Sequence, residues 1–354
     1  MGGVQSCVSG GEVPFKREQT GNAHGLGVAV AACQIPATKD EDRYYVGIGN
    51  MNTGKLTRIE GHHKCGEDGD VVCVGVYDGH GGREVAELLE KEIVARLLKR
   101  TSDSINSEPK DVKYRKVPES HITETYRDVH KAAVKKYNCG SCCINLFITN
   151  GKDGSRVVQC AWAGDSRASY FKGNRYKQHS DFSIDHSLER PEEKERIISH
   201  GQRYGGAYVA RRKTREGYPI GPHAVFKSDP NKTNLSLMMT RSIGDKHHSV
   251  AVLADPEFRQ IVVGRNEHVR LVVASDGMWR VYDNKVTSNT MKHTSDPSLA
   301  ANRLAVGSVW RTQRHTHMRM DDVTVIVVDV QGADIGHSVS VQTNSPTSRN
   351  KAHA

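Results

Sequence analysis

The sequence predicts an α+β domain built on antiparallel sheets, and its local patterns favour this class. Short apolar runs typical of buried strands are interspersed with a few longer helical segments. Two of these runs, residues 143–149 and 156–163, flank the turn-forming stretch 150–154, which indicates a hairpin. Strands and helices alternate too irregularly for a doubly wound parallel sheet.

The remaining elements can be assigned in order along the chain. Apolar residues at three- and four-residue spacing predict helices over 82–100 and from Pro118 to about 137. Helices are also expected over 191–200, where Pro191 and acidic residues occupy the first turn, and from Asp296 to about 310. The other predicted strands are 27–33, 70–77, 259–263, 269–275 and 323–330.

These elements form one domain, because no linker-like break interrupts residues 25–330. Residues 1–24 are Gly-rich and polar and are expected to be flexible. Residues 331–354 are polar and aperiodic, which predicts a disordered tail. Within the domain, residues 202–233 are basic, Gly-rich and weakly periodic, which predicts a mobile surface loop.

The charge favours anionic partners such as phosphate groups or acidic membrane surfaces, since the formal net charge is +9. The basic residues are spread along the chain without a block typical of a nucleic-acid arm, so no specific nucleic-acid partner is expected. The eight cysteines fall largely in strand-like apolar runs, and no signal peptide is recognised. A reduced, cytoplasmic protein is therefore expected.

The first residues, Met1-Gly2-Gly3-Val4-Gln5-Ser6-Cys7, match the pattern for N-myristoylation of Gly2. Cys7 stands where a palmitoyl chain would give the second anchor that stable membrane binding needs. The pattern predicts peripheral attachment to a membrane. The alternative is a disordered start that matches a short motif by chance.

Acidic residues follow several predicted strands, each beside glycine or serine. They are Asp78, Asp165, Asp276 and the pair Asp321-Asp322. A single Asp-Gly is typical of an ordinary turn, but repetition of this context favours carboxylates that converge. Oxygen ligands of this kind suit Mg²⁺ or Mn²⁺ better than Zn²⁺. Two-metal sites activate water and clamp a transferring phosphoryl group, so phosphate chemistry is expected.

The ordered set of motifs resembles the metal-dependent protein phosphatases of the PPM (type 2C) family. The resemblance is carried by Lys39-Asp-Glu-Asp-Arg43, Asp78-Gly-His-Gly-Gly82, Ala163-Gly-Asp-Ser-Arg-Ala168, Thr240-Arg-Ser-Ile-Gly-Asp245, Ala274-Ser-Asp-Gly-Met-Trp279 and Asp321-Asp-Val-Thr-Val-Ile-Val-Val328. It runs from about residue 25 to 330. It implies a four-layer αββα sandwich of two antiparallel sheets flanked by helices, with two Mg²⁺ or Mn²⁺ ions between the sheets.

The resemblance also implies a role for each acidic motif. The residues assigned to the metals are Asp78 as the bridging carboxylate, Gly79 through its carbonyl and Glu41 for one ion, and Asp276 and Asp321 for the other. Asp42 supports these ligands by hydrogen bonding, and Asp165 joins Asp276 at a weaker third site. His80 protonates the leaving serine or threonine oxygen while activated water attacks phosphorus in line.

The chain departs from the family's pattern near these residues. Ala37 stands where the family usually has an arginine that grips the substrate phosphate, which leaves Lys39, Arg43 and Arg280 as candidates for that contact. Arg280 follows Trp279 where the family often has an aspartate, and a cation there should repel metal from the third site. Smaller changes are Trp162, near a family asparagine, and Cys142-Cys143 in place of Thr-Ala.

Two functions are consistent with these observations. In the first, the protein is a metal-dependent phosphatase that acts on phosphoserine and phosphothreonine proteins. In the second, it is a pseudophosphatase that keeps the fold and uses the altered pocket to bind a phosphorylated ligand, a nucleotide or a protein partner. The fold alone does not decide between them.

Overall fold

The computed structural model describes residues 16–63, 65–104, 116–214, 216–227, 236–249, 251–315 and 320–333. Its helices are α1 Glu84–Ser104, α2 Glu119–Lys136, α3 Pro191–Tyr204, α4 Asp276–Trp279, α5 Asn284–Met291 and α6 Pro297–His315. Its strands are β1 Arg17–Ala23, β2 Val28–Ile35, β3 Arg43–Asn50, β4 Leu56–Arg58, β5 Gly61–His63, β6 Asp70–Tyr77, β7 Gly79–His80, β8 Gly140–Ser141, β9 Cys143–Asn150, β10 Arg156–Ala163, β11 Arg167–Lys172, β12 Gln178–Asp181, β13 Tyr208–Lys213, β14 Pro219–Phe226, β15 Ser236–Leu237, β16 Ile243–Gly244, β17 Glu257–Val263, β18 His268–Ala274 and β19 Val323–Gln331.

Two large sheets form the centre of the part of the chain that the structure describes. The first sheet has the order β12-β11-β18-β19-β2-β1-β5, and the second has the order β17-β10-β9-β6-β3-β4. Neighbouring strands are antiparallel, except that β1 and β5 run parallel. The expected sandwich of antiparallel sheets is confirmed.

The layers follow from where the apolar side chains pack. One cluster of buried residues lies between the sheets and includes Val74, Leu146 and Val328. A second joins α1 and α2 to the second sheet, and a third joins α5 and α6 to the first. Because both faces of each sheet are covered, β6 and β19 are nearly continuous apolar runs rather than alternating ones.

Strand pairing brings distant acidic motifs to one end of the sandwich. Ile35 at the end of β2 pairs with Val323 at the start of β19, so the segments just outside both strands are neighbours. Ala274 of β18 pairs with Val325, which brings the residues after β18 to the same place. In the second sheet, Ala163 pairs with Cys143, so the end of β10 lies beside the start of β9.

The predicted strands and the four predicted helices are confirmed. The prediction of a mobile loop over 202–233 is wrong in part. Residues 208–213 and 219–226 form a hairpin, β13–β14, with mostly exposed side chains. A hairpin that buries little of either face has no apolar alternation, so its sequence carries no strand signal. Residues 228–235 lie outside the described part.

Strand β3 was also not predicted, because Gly47 and Gly49 interrupt its apolar pattern. Gly49 has a packing reason: a Cβ there would lie 2.2 Å from Leu98 Cδ1 of α1. The glycine lets the helix approach the second sheet closely. Close packing of this helix therefore removes the pattern that would have revealed the strand.

At the N-terminus, the first sheet begins at β1, ahead of the boundary expected at residue 25, since Arg17–Ala23 pairs with β2. The acylation residues Gly2 and Cys7 lie outside the described part, as does most of the predicted tail 331–354. Among the described helices, none has the length and apolarity needed to cross a membrane.

Candidate active site

Three predicted aspartates converge at the end of the sandwich where the sheets meet. Asp78 follows β6, Asp165 follows β10, and Asp276 begins α4 directly after β18. One carboxylate oxygen from each lies within 4.8 Å of the others. The second sheet supplies two of these side chains and the first sheet supplies the third, so the cluster depends on the packing of the sheets.

These three carboxylates carry unfavourable negative charge. Burial raises the pKa of Asp78 well above its ordinary value, and the charges of Asp42 and Asp276 raise it further. Burial likewise raises the pKa of Asp165, and burial together with Asp165 raises that of Asp276. Crowded carboxylates in a partly desolvated site need a counter-charge. The oxygen donors fit a hard divalent cation such as Mg²⁺ or Mn²⁺.

Arg280 connects Asp276 to Asp321, the other predicted metal ligand of the first sheet. Its Nη1 donates to Asp321 Oδ2 at 2.6 Å, and its Nη2 donates to Asp276 Oδ2. Burial would lower the pKa of Arg280, but the two carboxylates raise it. The buried Trp279 fixes the preceding backbone, because its indole N–H donates to the Arg167 carbonyl at 3.0 Å. Arg280, a candidate for binding the substrate phosphate, is therefore hydrogen-bonded to two predicted metal ligands.

The backbones of Glu41 and Gly79, the two residues assigned to one ion, approach each other closely. A Cβ at position 79 would lie 2.5 Å from the Glu41 carbonyl oxygen, so the approach depends on glycine. The Glu41 carboxylate accepts a hydrogen bond from the Gly82 N–H at 2.8 Å and forms an ion pair with Lys39 at 3.1 Å.

Asp322 holds the segment that carries Glu41, a role that the sequence did not reveal. Its carboxylate accepts hydrogen bonds from the backbone N–H groups of Ala37, Glu41 and Asp42. Asp42 in turn accepts a hydrogen bond from the Thr324 hydroxyl at 2.8 Å. Burial and the Asp322 charge raise the pKa of Asp42 to about 7. The Asp-Asp pair before β19 was the available signal: the second aspartate binds backbone.

His80 is bound by Asp245, a partner that the sequence motif contained but did not identify. His80 Nε2 lies 2.7 Å from Asp245 Oδ2, which also accepts from the Ser242 hydroxyl. Burial would lower the pKa of His80, but the Asp245 charge raises it. The same contact outweighs burial and lowers the pKa of Asp245. Among the described residues, His80 Nδ1 has no hydrogen-bond partner, so the ring is oriented through one nitrogen.

The remaining phosphate-binding candidates differ in how far the protein uses them. Arg43 donates from Nη1 to the carbonyls of Asp40 and Asp42, and from Nη2 to Glu87 at 2.8 Å. Its side chain is only 11% exposed. Lys39 is 55% exposed and is bound to Glu41 alone among the ion pairs of the described residues. Lys39 is the freer of the two.

The two other departures from the family pattern have different surroundings. Trp162 is buried, stacks on His186 and donates to the Ile184 carbonyl at 2.8 Å, so it belongs to the core. Cys142 contacts the acidic cluster, because its thiol donates to Asp165 Oδ1 at 3.1 Å. Burial raises the pKa of Cys142 well above its ordinary value, so it is a neutral donor.

A separate buried carboxylate, Glu193 of α3, is fully engaged by protein groups. It accepts hydrogen bonds from Thr240, Arg196 and Arg241, each at 2.7 Å. Although burial acts to raise it, the bonds from Arg241, Arg196 and Thr240 lower the pKa of Glu193 to about 2. Arg241 also reaches Glu257 at 3.1 Å. This network joins α3 to the segment before β16.

Comparison with known proteins identifies the family. Residues 49–312, more than half of the chain, match the family model "Protein phosphatase 2C". The chain is 26% identical over 337 residues to "Probable protein phosphatase 2C 2" of Arabidopsis thaliana, covering 93% of this chain and 73% of that protein. It is 25% identical to "Probable protein phosphatase 2C 10" of the same plant, covering 79% and 82%.

Solved structures agree in fold. A serine-threonine phosphatase 2C from Toxoplasma gondii has a TM-score of 0.68 at 16% identity, covering 90% of this chain and all of that chain, 100%. A C. elegans sex determining protein has a TM-score of 0.63 at 17% identity, covering 86% and 65%. At these identities the likeness concerns the fold alone. Together with the match to the family model, it leads to one conclusion: the chain belongs to the protein phosphatase 2C family.

Proposed function

We propose that this protein is a metal-dependent protein serine/threonine phosphatase. The observation that carries the proposal is the convergence of Asp78, Asp165 and Asp276, whose carboxylate oxygens lie within 4.8 Å of one another. Family membership supports a protein phosphatase, and phosphorylated proteins are the corresponding substrates.

Two Mg²⁺ or Mn²⁺ ions are the proposed cofactors. Asp78, Gly79 and Glu41 would hold one ion, Asp276 and Asp321 the other, and Asp165 with Asp276 a third. When bound, the ions neutralise phosphate charge and activate water.

The chain's own residues orient the substrate's leaving group. His80 stands two residues after Asp78 and is held by Asp245 at 2.7 Å. We assign it the proton donated to the leaving serine or threonine oxygen, because an alkoxide is a poor leaving group without protonation. Asp245 positions the ring and favours its charged form. We assign attraction of the substrate phosphate to Lys39, because it is the most exposed basic candidate.

A second candidate function rests on Arg280. Its guanidinium binds Asp276 and Asp321, the two carboxylates proposed for one ion. A pseudophosphatase that binds a phosphorylated ligand, a nucleotide or a protein partner is the function this contact favours. Such a protein would be stabilised by its ligand without turnover.

Attachment to a membrane is a further part of the proposal. The pattern at Gly2 supports myristoylation and Cys7 supports palmitoylation. A doubly acylated chain would be cytoplasmic and peripheral at a membrane. Partition of the acylated full-length chain onto vesicles, compared with a Gly2→Ala variant, tests this; equal partition would contradict it.

Phosphate release tests the catalytic proposal. The substrates are an aryl phosphate and a phosphothreonine peptide, each with Mn²⁺ and with chelator. We expect metal-dependent release that falls by about three orders of magnitude in Asp78→Asn. Release by folded wild-type protein that does not exceed that of the variant would reject the enzyme and favour the pseudophosphatase.

A further inference from the structure

We propose that Arg280 and a divalent cation compete for Asp276 and Asp321, so that the protein carries its own counter-charge in one half of the metal centre. The inference rests on the proposed function, because it concerns the same acidic site. It predicts stepwise metal binding, with the half formed by Asp78 and Glu41 filled first.

The geometry of the contact supports competition. The two terminal nitrogens of Arg280 each bind a different carboxylate, Asp321 at 2.6 Å and Asp276 on the other side. A guanidinium presents its donors in a rigid fork, so this bridge fixes the two carboxylates relative to each other. A cation that used the same Oδ2 atoms would have to displace at least one of these hydrogen bonds.

The position of Arg280 is fixed by its surroundings. It caps the short helix α4, whose residue Trp279 is buried and bonded to the Arg167 carbonyl. Asp276 stands four residues earlier on the same turn and carries one of the two ion pairs. The arginine therefore faces the acidic cluster from a well-packed turn rather than from a loop.

The charges give the competition its direction. Asp78, Asp165, Asp276 and Asp321 bring four carboxylates to this region, and Arg280 offsets one of them. Removing Arg280 leaves more negative charge for an added cation to neutralise. Because the Arg280 side chain is 39% exposed, solvent screens both ion pairs, and losing the two together corresponds to about a fivefold change in an equilibrium constant.

Mn²⁺ binding to the full-length protein without substrate tests the proposal, by titration calorimetry and by electron paramagnetic resonance of the free ion. The wild type should show a tighter and a weaker class of sites. In Arg280→Ala the weaker class should tighten about fivefold, while the tighter class stays within about twofold. Arg280→Lys, which keeps the charge without the fork, should fall between the two and serves if the alanine variant does not fold.

Arg96→Ala is a matched control. Arg96 also pairs with an acidic residue four positions earlier, Glu92, and its side chain is 44% exposed, against 39% for Arg280. This variant should bind Mn²⁺ like the wild type, within about twofold. If the Arg280 variants also give the wild-type isotherm, the proposal is overturned.

The outcome is independent of turnover. A protein that releases no phosphate but binds Mn²⁺ more tightly without Arg280 would retain this inference and lose the proposed function. An active phosphatase whose Mn²⁺ affinities do not change in the Arg280 variants would retain the proposed function and lose this inference.

Discussion

Two groups of carboxylates in this protein, one buried and one half-buried, differ in what neutralises them. Glu193 is satisfied by Arg196, Arg241 and Thr240, and these contacts lower its pKa to about 2. In the cluster of Asp78, Asp165 and Asp276, burial raises the pKa values instead, and the charges of neighbouring aspartates raise those of Asp78 and Asp276 further. Both groups consist of acidic side chains, so residue type alone does not distinguish them.

The difference is the one expected between a carboxylate with a structural role and a set of carboxylates that binds a metal ion. A buried carboxylate with a complete set of protein donors stabilises the fold and has no need of a ligand. A crowded set without enough cationic partners is expected to bind a cation from solution. We refer to Glu193 and its partners as the closed network, and to Asp78, Asp165 and Asp276 as the open cluster. Arg280 makes the comparison informative, because it gives one part of the cluster the kind of partner that Glu193 has.

The largest expected effect is on turnover, at the residue that borders the open cluster. His80→Ala should lower phosphothreonine-peptide hydrolysis by about 10²–10⁴-fold, the range for a general acid. Hydrolysis of nitrophenyl phosphate should fall much less, because nitrophenolate leaves without protonation. Steady-state rates on both substrates measure this. The exposed His223→Ala is the control, and equal losses on both substrates would argue against proton donation.

The next largest effect is expected on stability, when Glu193 of the closed network is replaced. Glu193→Gln leaves Arg196 and Arg241 without their shared charge, and Glu193 itself is only 2% exposed. The free energy of unfolding should fall by about 3 kcal/mol, as for other broken buried ion pairs. Urea denaturation measures it.

The same comparison has a defined pH dependence. The pKa of Glu193 is lowered from 4.5 to about 2 on folding. Its stabilisation is therefore present above the unfolded value and is lost as pH falls from there toward the folded value. The stability gap between wild type and Glu193→Gln should be full at about pH 7 and smaller at about pH 3. A gap that widens in acid would contradict this assignment.

Asp322 resembles Glu193 in that protein groups bind its carboxylate. A smaller effect on stability is expected when it is replaced. In Asp322→Asn an amide nitrogen would face the backbone N–H groups that the carboxylate now binds. We expect a loss of about 2 kcal/mol, the scale of hydrogen bonds to a charged group. Urea denaturation measures this too, and a stability equal to wild type would remove Asp322 from the comparison.

The smallest effect on stability is expected for an exposed ion pair. Glu92→Gln removes the partner of Arg96 on the outside of α1, where both side chains are well exposed, at 39% and 44%. The change in unfolding free energy should stay below about 0.5 kcal/mol. A loss as large as that of Glu193→Gln would show that burial does not govern these ion pairs.

The candidate acidic ligands were predictable because each lies in a short local motif beside a strand end. The partners that decide their chemistry were not, since they come from distant segments. His80 and Asp245 are separated by 165 positions, and Asp322 lies 281 positions from Glu41. Arg280 was recognised as a departure, but its direction toward Asp276 and Asp321 depends on side-chain packing. The hairpin β13–β14 was not predicted, because its mostly exposed side chains give no apolar pattern.

The most direct test of the account compares Mn²⁺ binding by Asp78→Asn and Glu193→Gln, both confirmed to be folded by circular dichroism. Each variant removes one carboxylate charge, one from the open cluster and one from the closed network. The account predicts at least about a tenfold loss of Mn²⁺ affinity in Asp78→Asn and a change within about twofold in Glu193→Gln. Wild-type affinity in Asp78→Asn, or equal losses in both variants, would contradict it.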